Sequence, residues 1–398
     1  MENREFINFL KEFDEFNIKT IELYEDSIPY YYNKFWTKKQ RQGNSIHEIS
    51  YRACFKPELP SFFIENLTDY GDKVLDPFMG RGTTILQSTL MGREAFGNDI
   101  NPLSSLIVRP RFNPPSVDEI NDFLHKVNWR KTGRIRKDLL AFFHPKVLRQ
   151  ISAMREWFLH EAPLCNQNPN PVIDWLRMIC INRLTGHSEG FFSVYTLPPN
   201  QITSVENQLR INKKYNNTPP IRNIKSIILK KTKSLLRDGF TNSNNNFHLS
   251  TGLANNLKNI ESNSISLIVT SPPFLDTVNY VRENWMSCWF AGIDAKNICM
   301  PTHRTERSWE EMVRSVLIEM ARVLKPGGYI AFEVGEINKG EIFLDRTVRR
   351  AAINLPYKCI CVVINTHDFT KTANCWSVLN NSRGTNTNRI VILRRSTE

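Results

Sequence analysis

An apolar run, Ile265, Leu267, Ile268 and Val269, ends abruptly in Thr270-Ser271-Pro272-Pro273-Phe274. Its length and lack of alternation predict a strand buried on both faces, as in a parallel sheet. Two successive prolines stop it, because each lacks an N–H and fixes φ. The chain therefore leaves the sheet at its carboxyl edge, where open α/β sheets bind ligands. There Ser271 offers a hydroxyl, the prolines offer carbonyls, and Phe274 offers a flat face. Those groups suit a planar base bearing an exocyclic amine: the amine donates to the oxygens while the ring stacks. A second stretch, Lys73-Val74-Leu75-Asp76-Pro77-Phe78-Met79-Gly80-Arg81-Gly82-Thr83-Thr84, carries a strand into a glycine turn and then into a helix through Ile85, Leu86, Thr89 and Leu90. That context fits a nucleotide-type ligand. No Gly-Lys-Ser/Thr follows, so it is not a phosphate loop. Ile85 stands where a dinucleotide fingerprint has its third glycine.

Thr-Ser-Pro-Pro-Phe resembles the catalytic motif of the amino-methyltransferases of DNA, in which Ser, Asn or Asp precedes Pro-Pro and an aromatic residue. The serine form is similar to the cytosine-N4 branch; the Asn and Asp forms are commoner in the adenine-N6 branch. Asp-Pro-Phe-x-Gly-x-Gly-Thr resembles the S-adenosylmethionine motif of the same enzymes. The resemblance implies Ser271, Pro272, Pro273 and Phe274 as catalytic residues. It implies a cofactor site at Asp76, Pro77, Phe78, Gly80, Gly82, Thr83 and Thr270. Asp76 would draw in the cofactor's positive end, Phe78 would wall it, and amides near Gly80 and Gly82 would meet its carboxylate. Asp99 lies 17 residues beyond Gly82, at the end of the next strand and beside Ile100, where an acidic residue accepts from ribose hydroxyls. Lys56-Pro57 stands where relatives place a Lys-Pro or His-Pro segment against the methionine part of the cofactor; a proline-started helix also accounts for it. Gly252 falls in the loop where relatives have Gly-Asp, but Leu253 follows here.

The elements that must position these residues divide unevenly in charge. The chain has 398 residues, 41 % of them hydrophobic, and a net charge of +12. Residues 101–240 hold 22 Lys and Arg against 10 Asp and Glu, leaving 30 of each sign elsewhere. A neutral body with one basic insert predicts a polyanionic partner. The expected fold is α/β: a Rossmann-like methyltransferase with a mostly parallel sheet, plus a mainly helical basic insert. Its expected divisions are a helical N-terminal lead-in (1–45), a catalytic domain (46–102 and 246–398) and an inserted DNA target-recognition region (103–245).

Three apolar stripes predict helices in the insert: Val147 to Phe158, Val172 to Cys180, and Ile224 to Leu235. Lys213, Lys214, Lys230, Lys231 and Lys233, with His187 and Tyr195 from the irregular segment between stripes, are the residues expected to contact DNA. Tyr30-Tyr31-Tyr32 and Phe35-Trp36 either touch nucleic acid or pack between domains. A strand is expected after Phe247, a helix over 257–260, a helix from Trp285, a helix over 309–324, and strands over 329–334, 359–365 and 389–393. Eight cysteines lack any Cys-x-x-Cys pair, and no metal is called for. With no apolar signal region or membrane-length run, a cytoplasmic protein is expected.

The resulting expectation is a site-specific methyltransferase that moves a methyl from S-adenosylmethionine to cytosine N4 in duplex DNA, after the base is turned out of the helix. It would serve a restriction-modification or related system, with a restriction endonuclease as possible partner. Adenine-N6 methylation, RNA amino-methylation and a silent nucleic-acid-binding module are the alternatives. Cytosine-C5 chemistry would need a nucleophilic cysteine after a proline, and the chain has no Pro-Cys pair.

Overall fold

The computed structural model describes residues 3–36, 43–51, 54–127, 135–166, 169–199, 202–239, 246–273, 283–298, 303–337, 342–366 and 388–397. Its frame is a nine-stranded sheet. The strands are β1 (Ile21–Glu25), β2 (Ile28–Asn33), β3 (Lys73–Asp76), β4 (Glu94–Asp99), β5 (Phe247–Thr251), β6 (Ile265–Thr270), β7 (Leu324–Val334), β10 (Tyr357–Asn365) and β11 (Asn388–Arg395). The pair β8 (Glu336–Ile337) and β9 (Ile342–Phe343) lies apart. The order is β1-β2-β10-β11-β7-β6-β3-β4-β5. Strands β7, β6, β3, β4 and β5 run parallel, and β11 runs antiparallel to both β7 and β10.

Side-chain alternation distributes the sheet between two layers. Val74, Leu267 and Val269 face a cluster that includes Leu59, Phe62, Phe63 and Ile64 of the helix Glu58–Leu67. Leu75, Ile268 and Ile330 face the opposite way, onto Trp309, Val313, Leu317 and Met320 of the helix Glu306–Val323. Every apolar residue of β6 is fully buried, as its unbroken apolar run requires.

Sequence order reverses at β3. The chain proceeds to β4 and β5 on one side, then returns to β6 on the other. This is the topological switch point of an open α/β sheet. Asp76, Asp99 and Thr270 are the last residues of β3, β4 and β6, so all three stand at the carboxyl edge there. The helix Thr83–Leu90 packs very close to β4: a Cβ at Gly97 would lie 2.0 Å from Ile85 Cδ1 and 2.7 Å from Met79 Sδ. Gly97 thus sets how near the helix that follows the glycine turn can approach the sheet.

Among the described residues, the N-terminal lead-in has an α-helix over Asn3–Glu12 and continues as the β1–β2 hairpin. Strand β2 joins the sheet parallel to β10, with Tyr31 opposite Val363. Tyr30, Tyr31, Phe35 and Trp36 are buried, and the Tyr30 hydroxyl donates to Asp345 Oδ2 at 2.7 Å. These rings are core packing, which withdraws them from nucleic acid. Residues 257–260 form a single turn, Ile260 N–H to Leu257 carbonyl, and not a helix.

The helices Pro145–Glu161, Pro171–Arg183 and Ile224–Leu235 occur where the apolar stripes lie, and Val205–Tyr215 is a further one. They share one apolar cluster with the glycine-turn helix: Ile85 and Leu86 join Ile107, Ile151, Trp175, Ile179 and Ile228. Asp174 makes the main ionic tie within this cluster. It accepts two hydrogen bonds from Arg109 (2.8 and 2.9 Å) and one from the fully buried Arg177 (2.7 Å). Removing the carboxylate would strand a buried guanidinium. We expect Asp174→Ala to lower unfolding free energy by about 3–5 kcal/mol, measured by urea denaturation. A loss under 1 kcal/mol would mean that the network relaxes around the gap.

Candidate active site

Thr270 and Asp76 end neighbouring parallel strands, and their side chains meet. The Thr270 hydroxyl donates to Asp76 Oδ1 at 2.6 Å. The same oxygen accepts the Phe78 N–H at 3.0 Å. One residue on, Ser271-Pro272-Pro273 leaves the sheet; Ser271 is half-buried. The glycine turn and the serine-proline turn are therefore joined by a hydrogen bond between side chains 194 residues apart. Phe274 lies outside the described residues.

Asp76 is buried, and burial pushes its carboxyl up to about 7, against the hydrogen bonds from Thr270, Phe78 and Thr84. Burial also raises the Asp99 carboxyl, against the Asn101 and Gly80 amides. Asp99 Oδ2 accepts the Gly80 N–H at 2.8 Å, and Oδ1 accepts the Asn101 N–H at 2.8 Å. Each oxygen keeps a second lone pair for an incoming hydroxyl.

The two glycines' own amides are both engaged within the protein. The Gly80 N–H is committed to Asp99, and the Gly82 N–H bonds the Met79 carbonyl at 2.6 Å. Neither points out for an anion. Gly82, at φ +75°, instead opens the helix Thr83–Leu90, whose first-turn amides are those that helix geometry leaves without intrahelical acceptors. Of the amides near Gly82, those of Thr83 and Thr84 lie in the first turn of this helix.

Arg81, between the two glycines, was not singled out from the sequence. Its guanidinium donates to the carbonyls of Ile49 (3.1 Å) and Phe55 (3.0 Å) and to Thr83 Oγ1 (3.1 Å). The segment that carries Lys56 is thereby laced onto the glycine turn. Arg111, fully buried, donates to the carbonyls of Ile107, Ile46 and Arg81. No spacing rule announces either residue, since most of their partners are main-chain oxygens distant in sequence. Tyr51 lies beside Gly80, where a Cβ would come no closer than 3.5 Å to its ring, and Asn101 donates to its hydroxyl at 3.3 Å. A recess beyond Tyr51 is lined by Ser50, Asn182, Thr185, Asn284 and Ser287.

Pro77 and Phe78 continue from Asp76; Phe78 is half-buried against the sheet. Ile100 follows Asp99. Gly252 is held at both main-chain groups: its N–H donates to the Asp99 carbonyl, and its own carbonyl accepts from Asn98 at 2.9 Å. The β5 loop is thus fastened to β4 without a carboxylate at position 253.

The basic residues of the insert divide. Lys213, Lys214, Lys230 and Lys233 are exposed, as are His187 and Tyr195. The Tyr195 ring meets Tyr215 edge-on at 6.4 Å, and the Lys214 amine stands 5.2 Å over Tyr215. Lys231 departs from the group. It points inward and donates to the Glu48 carbonyl. Burial, helped by Arg183, lowers its amine to about 7. It ties the insert to segment 44–48, where the Ser45 hydroxyl also donates to the Leu235 carbonyl at 2.9 Å. Half-buried and engaged by the Glu48 carbonyl, Lys231 is set apart from its exposed neighbours Lys230 and Lys233.

A family model described as DNA methylase matches residues 10–106. The type II methyltransferase M.MjaII of Methanocaldococcus jannaschii is 34 % identical over 104 residues, 26 % of this chain and 19 % of that one. The type II methyltransferase M.BsoBI of Geobacillus stearothermophilus is 21 % identical over 335 residues, 74 % of this chain and 59 % of that one. The chain thus spans less than two thirds of the length of these curated relatives. Among solved structures, a SAM-dependent methyltransferase from Methanosarcina mazei aligns at 10 % identity and a TM-score of 0.36, over 84 % of this chain and 98 % of that one.

The raised Asp76 carboxyl has a pH consequence. The folded protein holds a proton that an unfolded carboxyl, with its ordinary value of 3.8, has lost by about pH 5. Stability therefore falls as pH rises from about 4 through 7. We expect the ligand-free protein to melt progressively lower from pH 5 to pH 8, and Asp76→Asn to flatten that fall. Parallel melting curves for the two proteins across this range would contradict the assignment.

Proposed function

Because the chain belongs to the amino-methyltransferase family of DNA, we propose that it transfers a methyl group from S-adenosylmethionine to the exocyclic amine of a base in duplex DNA, and that the base is cytosine, methylated at N4. The observation that carries this reading is the Thr270–Asp76 hydrogen bond, which sets the serine-proline turn beside the glycine turn at the switch point. Fit to the cofactor is tested by the groups present there. A buried carboxylate at Asp76 suits a cation, the first-turn amides at Thr83 and Thr84 suit a carboxylate, and Asp99 has acceptor capacity for ribose hydroxyls. Pro77, Phe78, Gly80, Ile100 and Gly252 supply the walls of such a site, and Lys56 is held near it through Arg81.

S-adenosylmethionine supplies an electrophilic methyl group when bound. This chain's task is to make a poor nucleophile available. The amine lone pair of cytosine is delocalised into the ring. Ser271 Oγ and the Pro272 carbonyl accept the amine's two hydrogens and localise that lone pair on nitrogen, and Phe274 stacks on the ring. Transfer then depends on orientation and on acceptors placed in advance. No covalent enzyme intermediate is required. The base must leave the duplex to reach these groups, and the recess beyond Tyr51 gives an extruded base polar neighbours in Asn182 and Thr185. The assignment to cytosine N4 over adenine N6 rests on the serine form of the motif.

The insert (103–245) is proposed to grip the DNA, with the exposed Lys213, Lys214, Lys230 and Lys233 meeting phosphates and His187, Tyr195 and Tyr215 nearer the bases. The same chemistry suits a restriction-modification system, in which a cognate endonuclease would share the recognition sequence. No helix among the described residues is long and apolar enough to cross a membrane.

Ser271→Ala tests the chemistry. We expect methyl transfer to fall on the order of 100-fold while calorimetry shows cofactor affinity unchanged. Full activity in that variant would remove Ser271 from the mechanism. Salt titration tests the insert. Lys230→Glu with Lys233→Glu should weaken binding to all sequences and reduce the slope of log K against log salt by up to roughly 2. Lys231→Met should leave that slope alone. An unaltered slope in the double variant would make these lysines a solvated helix face.

A further inference from the structure

The serine-proline turn has a weakness built into its composition. Pro272 and Pro273 have no N–H, so neither proline can brace the turn with a main-chain donor. A donor from another element can orient its carbonyls instead. The described structure shows one. The indole of Trp309 donates from Nε1 to the Pro273 carbonyl at 2.9 Å. Trp309 is fully buried, among Ile268, Ile330 and Leu317.

The indole is itself fixed from both directions. Trp309 opens the second turn of the helix Glu306–Val323, and its N–H bonds the Thr305 carbonyl at 3.1 Å. Thr305 and Ser308 form a reciprocal capping box that sets where this helix begins. Glu306 accepts from Thr347 Oγ1 at 2.7 Å and from Arg350, which ties the helix start to the next helix, Leu344–Ala351. The ring therefore cannot swing away without disturbing two helices.

We propose that Trp309 is a positioning residue for methyl transfer: its indole N–H holds the Pro273 carbonyl and so orients the serine-proline turn, leaving the Pro272 carbonyl as the acceptor turned to the substrate amine. The inference rests on the proposed function for its kinetic consequence, but its geometric content does not. Trp309 touches no reacting atom. It acts through the peptide that follows Pro273, and a donor there removes one of the two proline carbonyls from competition for the amine.

Trp309→Phe tests the point, because it keeps an aromatic ring in the core and deletes the N–H. We expect kcat to fall about tenfold with the KM for cofactor within roughly twofold of wild type. Amide hydrogen exchange at Thr270 and Ser271 should quicken, while exchange in β3 stays unchanged. Unchanged kcat and unchanged exchange at Thr270 and Ser271 would overturn the inference. So would a fall in kcat matched by lost folded protein in a thermal melt, which would make the residue packing alone. If wild type transfers no methyl group, the proposed function fails, and the exchange comparison still decides whether Trp309 holds the turn.

Discussion

A single hydrogen bond, Thr270 Oγ1 to Asp76 Oδ1, is the constraint on which the rest of the site depends. It forms because β3 and β6 lie side by side although 188 residues separate their ends from starts. A carboxylate without partners at this depth would be costly. Asp76 is tolerated because Thr270 and the Phe78 amide satisfy it, and its carboxyl still stays well above the ordinary range. A cation at the carboxyl edge would offset that cost, which is why the positive end of the proposed cofactor suits this position.

Around that bond, the two turns are rigid for opposite reasons. The glycine turn is soft in itself, since Gly80 and Gly82 both take positive φ. It is held by external donors and acceptors: Asp99 below Gly80, Arg111 on the Arg81 carbonyl, and the Arg81 side chain reaching to Ile49 and Phe55. The serine-proline turn is stiff in φ but poor in donors, and it takes its fixed point from Trp309. The basic insert is not a detachable attachment to this centre. It shares its apolar cluster with the glycine-turn helix and is tied through Lys231 to the segment preceding that turn. The insert helices and the glycine turn are therefore mechanically continuous through packed side chains.

Much of this was legible in the sequence where residues speak locally. The β6 run with its proline stop, the glycine turn after β3 and the acidic end of β4 all announce themselves by type and spacing. What escaped depends on distant partners. The N-terminal hairpin was hidden because its tyrosines are buried by β10, some 330 residues away, and nothing near them alternates in the way an independent strand would. The expectation named amides near Gly80 and Gly82; that the two glycines' own amides turn inward, to Asp99 and Met79, could not be read from the sequence. Lys231 was grouped with its neighbours, yet helical phase places it on the stripe of Ile224, Ile228 and Leu235. That inward direction was recoverable from periodicity; its acceptor, the Glu48 carbonyl, was not.

The most direct test is nucleoside analysis. Duplex DNA of mixed sequence is incubated with the purified protein and methyl-labelled S-adenosylmethionine, digested to nucleosides and separated by mass. The account predicts label in N4-methylcytosine. Label in N6-methyladenine alone would contradict the base assignment and keep the reaction, whereas no label in any nucleoside would contradict the claim that the two turns form one methyl-transfer centre.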